Sequence, residues 1–281
     1  MTFQVFDFLA LDQPIQVMDV GASAIAETPI YKPLLDKGWA HLHAFDGDAR
    51  QIERIKAAYG DRATVHADFL FDGSARTLHL CDAAGGMTSL LKPRPDALAF
   101  FNGFAQFGRV ESTLRVETRR LDDLAEPRRI DFLKMDTQGA ELTVLRNGAG
   151  KLATCVAVQL EMPFFCLYED QPSFGDIDAW MRGQGFVPHG FVALKRWPIA
   201  PTIFNGDYRR AGNQLLEADL IYVKDPLKLE ILTGAQLATL ATLAHHAFNS
   251  FDLCAYLLLE LESRGLIPQD APQRYLGGLG K

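Results

Sequence analysis

The chain has 281 residues, 48% of them hydrophobic and 22% charged, with a formal net charge of −7. That length and composition suit one large α/β core with an appendage and exclude a disordered chain. The acidic balance argues against a general nucleic-acid binder, which shows a basic face, and makes small molecules or groups on larger ones the expected substrates.

Four cysteines, Cys81, Cys155, Cys166 and Cys254, lack C-x-x-C spacing, and those at 155 and 254 sit in apolar segments, so a reduced, cytoplasmic protein is expected. No apolar run approaches bilayer-spanning length, and Met1 to Asp7 carries no basic leader, so no integral membrane segment is expected.

In chain order, Ile15 to Ser23 reads as a hydrophobic strand ending in Asp19, Gly21, Ala22 and Ser23, a first turn that lets a cofactor approach the backbone. With a single glycine it lacks the G-x-G-x-x-G fingerprint, which disfavours a pyrophosphate cradle; the plainer reading is that Gly21 only permits a tight turn. Thr28, Pro29 and Pro33 start the next helix late. Ala40 to Asp46 is a second strand, and its acidic end occupies the ribose-binding position, where a carboxylate accepts hydrogen bonds from both hydroxyls. A helix over about 48 to 59 and a strand over about 63 to 67 follow. Asp68 closes that strand near the place of an adenine ring, or is simply solvated.

Residues 76–118 break into short β-like pieces around a turn-rich segment and read as an insertion covering the pocket. Asp122 and Asp123 either cap a helical turn or face solvent, and solvent is the favoured reading. The stretch Arg129 to Gly148 is the centre of the chain. Ile130, Phe132, Leu133 and Met135 form a strand buried on both faces, and Gly139 turns it into a helix carrying Leu142 and Leu145. Asp136, Gln138 and Glu141 crowd that turn at the strand's carboxyl end, where ligands sit in open α/β sheets. A structural alternative is that Thr137 or Asp136 caps the helix. Against it stands Lys134, a lysine in an apolar strand, which costs free energy unless it is paired or at the sheet edge.

Cys155 to Glu161 is another buried strand that brings Glu161 beside Asp136. Ser173 and Asp176 form a capping pair for a helix that stops at Gly185. Phe186 to Trp197 and Ala218 to Lys224 read as an antiparallel hairpin at the sheet edge. Past Pro226, Leu237, Leu240, Leu243, Ala244 and Phe248, then Leu253, Leu257, Leu258 and Leu261 after an Asn249-Ser250 cap, recur at helical spacing as two amphipathic helices. The adjacent His245 and His246 point apart on a helix and make a poor metal pair, and no metal is expected.

The run Ile130-Asp-Phe-Leu-Lys-Met-Asp-Thr-Gln-Gly-Ala-Glu-Leu142 closely resembles the signature of the FkbM family of S-adenosylmethionine-dependent methyltransferases. Asp19-Val-Gly-Ala22 is similar to that family's first motif, Ala44-Phe-Asp46 to its ribose-binding position, Thr88-Ser-Leu-Leu91 and Arg120-Leu-Asp-Asp-Leu124 to its middle, and Gln214 to Asp219 to its last strand. Pro29-Ile-Tyr31 resembles an element of one branch of the family. Asp46 stands in place of the usual Glu, Gly47 in place of a common Pro, and Ser23 follows Gly-Ala where the family has Asn.

The resemblance implies a Rossmann-like class I methyltransferase fold, a mostly parallel central sheet flanked by helices, over 1–226, with a C-terminal helical appendage over 227–281. It implies S-adenosylmethionine as cofactor, held by Asp19, Gly21, Ala22, Ser23, Asp46 and Asp68. It also implies methyl transfer to an oxygen on a sugar, lipid or secondary metabolite. Methyl transfer from a sulfonium requires alignment and removal of the acceptor's proton. Asp136 and Glu161 are the candidate bases, with Glu141 behind them and Lys134 holding one carboxylate ionised. The rival reading is an inactive methyltransferase-like binding module whose C-terminal helices form a docking surface; a dehydrogenase fits less well, for want of pyrophosphate glycines.

Overall fold

The computed structural model describes residues 9, 11–22, 28–47, 49–82, 85–210 and 212–279. Its elements in chain order are β1 (Ile15–Val20), α1 (Lys32–Asp36), β2 (Ala40–Phe45), α2 (Ala49–Tyr59), β3 (Ala63–His66), β4 (Phe69–Leu70), β5 (Arg76–Cys81), α3 (Pro95–Phe100), α4 (Phe104–Phe107), β6 (Val110–Val116) and β7 (Thr118–Arg119). These are followed by β8 (Phe132–Met135), α5 (Glu141–Arg146), α6 (Ala149–Leu152), β9 (Ala157–Pro163), α7 (Phe174–Gly183), β10 (Phe186–Arg196), β11 (Leu215–Lys224), α8 (Gly234–His246), α9 (Phe251–Ser263) and α10 (Ala271–Leu279).

Seven strands form the central sheet in the order β10-β11-β9-β8-β1-β2-β3. The pairs among β1, β2, β3, β8 and β9 are parallel, while β11 runs antiparallel to both its neighbours, β9 and β10. This is the class I methyltransferase fold. The expected hairpin exists, but only β10 is at the edge; β11 lies inside the sheet. From β1 the chain winds outward through β2 and β3, then returns to β8 on the other side of β1, so the order reverses between β1 and β8. A reversal of this kind opens a crevice at the carboxyl ends of the two strands.

Alternate residues of each strand supply different cores. Val17, Phe132, Ala157 and Val223 face α1, α8 and α9; Met18, Leu133, Val158 and Leu220 face α5 and α7. Burial on both sides explains the nearly continuous apolar runs of these strands. A third cluster, with Met87, Phe101, Phe104, Leu167, Tyr168 and Leu216, ties the α3–α4 segment to the chain after β9 and to the start of β11.

The C-terminal helices belong to the first core. Leu237, Leu240, Leu243, Leu257 and Leu258 are fully buried with the strand residues. Helix α8 is buried at every position from Leu237 to Ala244, more than one amphipathic stripe requires. The pattern over 237–261 missed a third helix, α10, whose Tyr275 is fully buried and meets the His245 ring nitrogen at 2.9 Å.

Asp122 is exposed, as expected, and its carboxylate also caps α6, accepting from the N–H groups of Gly150 and Lys151 at 3.2 and 2.9 Å. Two local expectations change. Ser250 makes no capping bond, and its hydroxyl donates instead to Asp252. Neither Thr137 nor Asp136 caps α5. The cap position is Ala140, and the turn's N–H groups are taken from inside the helix by Glu141. The Ser173/Asp176 capping box of α7 is present as read.

Candidate functional site

On the face shared with α1 and α8 the strands change character along their length. The register row Val17, Phe132, Ala157 and Val223 is apolar, while the next row, Asp19, Lys134, Gln159 and Ile221, is largely polar. Beyond it stand Asp136, Glu161 and Asp219, the last two paired in register, and then Glu217. The polar rows lie at the carboxyl edge of the parallel strands, across the reversal point.

Asp19 and Lys134 are register partners on β1 and β8, and their side chains meet at 3.1 Å. Asp19 is buried, and its second oxygen accepts from the Tyr31 hydroxyl at 2.6 Å. This pairing resolves the expected cost of a lysine in an apolar central strand. Burial opposes the Lys134 charge, but Asp19 and, behind it, Asp136 outweigh burial and hold the ammonium above its ordinary pKa. Burial and the Asp19 carboxylate push the Tyr31 phenol well up.

The turn after β1 closes tightly on β8. Gly21 has φ +77°, and a Cβ there would run into the carbonyl oxygen of Asp136, so only glycine fits. The N–H groups of Gly21 and Ala22 both point to the Phe45 carbonyl, at 3.0 and 3.3 Å. Backbone proximity is therefore what this turn offers a ligand. Ser23 lies outside the described residues. Asp46 follows β2 half-buried, its N–H on the His66 carbonyl at 3.2 Å. Gly47 packs beneath the Phe69 ring, where any side chain would clash. Asp68 is half-buried and pairs with Arg119 at 3.3 Å.

The central turn is built around Gln138 at φ +53° and Gly139 at φ +98°. The Gln138 amide nitrogen donates to Asp136 Oδ1 at 2.7 Å and to Glu161 Oε2 at 3.0 Å. Its amide oxygen accepts from the Tyr168 hydroxyl at 2.8 Å, and its backbone carbonyl from Ser89 Oγ at 2.7 Å. Residues on both sides of the 76–118 segment's core thus hold one glutamine that joins two carboxyl groups. Glu141 is buried behind the turn and accepts from Thr137 N, Thr137 Oγ1 and Gly139 N at 2.8, 2.9 and 3.3 Å. Burial pushes its carboxyl up to about 7.

Three further groups escaped the sequence. Lys195, from the edge strand β10, reaches Glu161 at 3.2 Å and Glu217 at 2.8 Å. The cation beside Glu161 is therefore Lys195; Lys134, expected to hold Asp136 or Glu161 ionised, pairs directly with Asp19. Burial first, then the charges of Asp136 and Glu217, push the Glu161 carboxyl well above its usual range, and Lys195 opposes this. Asp219 is raised as well, chiefly by burial. The available signal was the alternation of Glu217 and Asp219 with Leu216, Ala218 and Leu220, a polar period of two opening an otherwise apolar strand.

Among the described residues no group of three or more His, Cys, Asp or Glu side chains is placed to hold a metal ion, and no helix is long and apolar enough to cross a membrane.

Residues 19–188 match the model of the methyltransferase FkbM domain. No curated protein matches the chain. Solved structures with a related chain path include magnesium protoporphyrin IX methyltransferase (ChlM) from Synechocystis PCC 6803 with bound SAM, 11% identical, covering 76% of this chain and 71% of that one at a TM-score of 0.39. A precorrin-6y C5,15-methyltransferase from Geobacter metallireducens GS-15 is 12% identical, with 77% and 83% covered and a TM-score of 0.37. The 23S rRNA methyltransferase ErmE is 10% identical, with 96% and 94% covered and a TM-score of 0.36. Likenesses this distant carry no information about the acceptor.

Proposed function

The chain belongs to the FkbM family of methyltransferases, and on that premise we propose that it methylates a hydroxyl oxygen on a sugar, lipid or secondary metabolite. S-adenosylmethionine is its cofactor. The residues at the reversal point suit that molecule. Asp46 would hold the ribose hydroxyls, with Asp68 toward the adenine, while Gly21 and Ala22 would lie against the cofactor. The amide oxygen of Gln159, in the row of Asp19 and Lys134, is buried without a hydrogen-bond partner among the described residues, and a ligand donor would satisfy it. When bound, the sulfonium supplies an electrophilic methyl group.

The protein's own task is then to orient the acceptor oxygen and remove its proton. The observation that carries this reading is the Gln138 amide shared by Asp136 and Glu161. It fixes two carboxyl groups at one place, beside the strand end that meets Gly21. Glu161, whose carboxyl burial raises, orients the acceptor, and Asp136 accepts the acceptor's proton. Lys134 holds Asp19 in place, and Glu141 braces the turn.

The test is Asp136→Asn, with labelled methyl transfer followed into a pool of glycosides, polyols and hydroxylated lipids. Loss of a general base lowers the rate by about a hundredfold to ten-thousandfold, with cofactor binding retained. A folded, cofactor-binding variant that transfers at a near-normal rate would remove Asp136 from the chemistry. Label appearing only on nitrogen or carbon would overturn the oxygen acceptor.

A further inference from the structure

Between β10 and β11 the chain leaves the sheet as the loop 197–214. Trp197 anchors it, its N–H on the Gln214 carbonyl at 3.1 Å and its indole N–H on the Asn102 carbonyl at 2.7 Å. Ala200 N–H reaches the Phe100 carbonyl at 2.8 Å, and the Asn102 amide donates to the Thr202 carbonyl. At the tip, Asn205 and Gly206 have φ +54° and +79° between the paired residues Phe204 and Asp207. Two positive φ values in an Asn-Gly pair are the two-residue hairpin turn that matches strand twist. The tip is thus a built projection.

It presents Ile203, Phe204 and Tyr208, exposed by 59, 41 and 42%. Beside them Arg209 lies 5.4 Å from the Tyr208 ring and 5.6 Å from Phe107, and Arg210 lies 6.0 Å from Phe204. Among the described residues neither guanidinium makes an ion pair: Arg209 Nε donates to the Tyr208 hydroxyl at 2.9 Å, and the Asp207 carboxylate accepts only from the Arg209 backbone N–H, at 2.8 Å. Over 197–214 there are two arginines, Arg209 and Arg210, and one acid, Asp207, a net of +1 on a chain whose total is −7.

Scattered exposed apolar residues are ordinary, but an apolar tip ringed by unpaired cations on an acidic protein is not. Aromatic and arginine side chains with apolar bodies and polar ends sit at the headgroup level of a bilayer, and basic residues are drawn to anionic lipid. We infer that this hairpin docks the protein on an anionic lipid bilayer, with Ile203 and Phe204 entering the interface and Arg209 and Arg210 on headgroup phosphates. The inference goes beyond methyl transfer and does not rest on it, because vesicle binding needs neither cofactor nor acceptor. Since the loop begins just past Lys195 at the carboxyl end of β10, docking turns the polar edge of the sheet toward the headgroups.

The test is cosedimentation of the full chain with vesicles of phosphatidylcholine alone or with about one third phosphatidylserine, a strongly anionic surface. Binding is expected to the anionic vesicles, at least about tenfold weaker to phosphatidylcholine, and weakened by salt. R209Q/R210Q should weaken it by about thirtyfold, the effect of two basic residues near a charged surface, and I203S/F204S by about tenfold or more. L276S, on the exposed side of α10, should change nothing, and thermal melts of all variants should match the wild type. No binding by the wild type, equal binding by I203S/F204S, or equal loss with L276S overturns the inference. A dimer that I203S/F204S dissociates, without vesicle binding, reassigns the tip to a second copy of the chain.

Discussion

One face of one sheet carries both a fully buried apolar row and a run of charged and polar side chains. At the amino half, Val17, Phe132, Ala157 and Val223 are wholly buried against α1, α8 and α9. At the carboxyl half the same strands present Asp19, Lys134, Gln159, Glu161 and Asp219. The strands, neighbours and twist are shared, so fold stability alone gives no reason for the change. Apolar side chains would be as easily accommodated in the second half, since replacing a buried ion pair with well-packed hydrophobes is often neutral or stabilising. Polar rows at that edge are what the proposed site requires.

The comparison breaks most sharply at Asp136, where Asp136→Asn should cost about a hundredfold to ten-thousandfold in rate while leaving the amino half untouched. Next comes the Asp19–Lys134 pair. Lys134→Met strands the buried Asp19 carboxylate and should cost about 3–5 kcal/mol in urea unfolding. Adding Asp19→Leu should recover part of that stability, the remainder being lost with the acceptor of the buried Tyr31 hydroxyl. If the single variant is as stable as wild type, the pair does not stabilise the junction of β1 and β8.

Glu141 sharpens the comparison through pH. Its carboxyl is raised from an ordinary glutamate value to about 7, so the folded state binds the proton more tightly than the unfolded one. Its contribution is therefore most favourable below the unfolded pKa and is lost as pH rises through 7. A displacement of roughly two units corresponds to about 3 kcal/mol. Glu141→Gln does not titrate, so its melting temperature relative to wild type should rise between pH 5 and pH 8. A constant gap would mean the turn stabilises the carboxylate outright. The smallest effect is expected at Asp46, whose replacement by Ala should weaken S-adenosylmethionine binding by about 1–3 kcal/mol in calorimetry, the range for losing a charge-assisted hydrogen bond. Unchanged affinity would place the ribose elsewhere.

The strands β1, β2, β8 and β9 were legible because a strand buried on both faces must be a nearly unbroken apolar run, and their acidic ends stood out against that background. Helices α8 and α9 were legible from leucine spacing. Their layer was not, because α10 contributes Tyr275 and Ala271 from a short stretch in which Pro272, Gly277 and Gly278 argue against a helix. At the site, Asp136 and Glu161 could be read as neighbours, but Tyr31 on Asp19 and Lys195 on Glu161 could not. Those partners are 12 and 34 residues away in sequence.

By itself the sequence determined the alternation of strand and helix, the glycine at Gly21 and the concentration of carboxylates at strand ends, since each depends on local backbone or on a side chain's own preference for water. Tertiary structure alone decided which charges meet. The reversal between β1 and β8 places Lys134 against Asp19, and the antiparallel insertion of β11 beside β9 brings Glu217, Asp219 and Lys195 to Glu161. The physical reason is that a charge's protonation and partner depend on distances of a few ångströms across the sheet. Strand order and register set those distances, and local sequence carries no record of either.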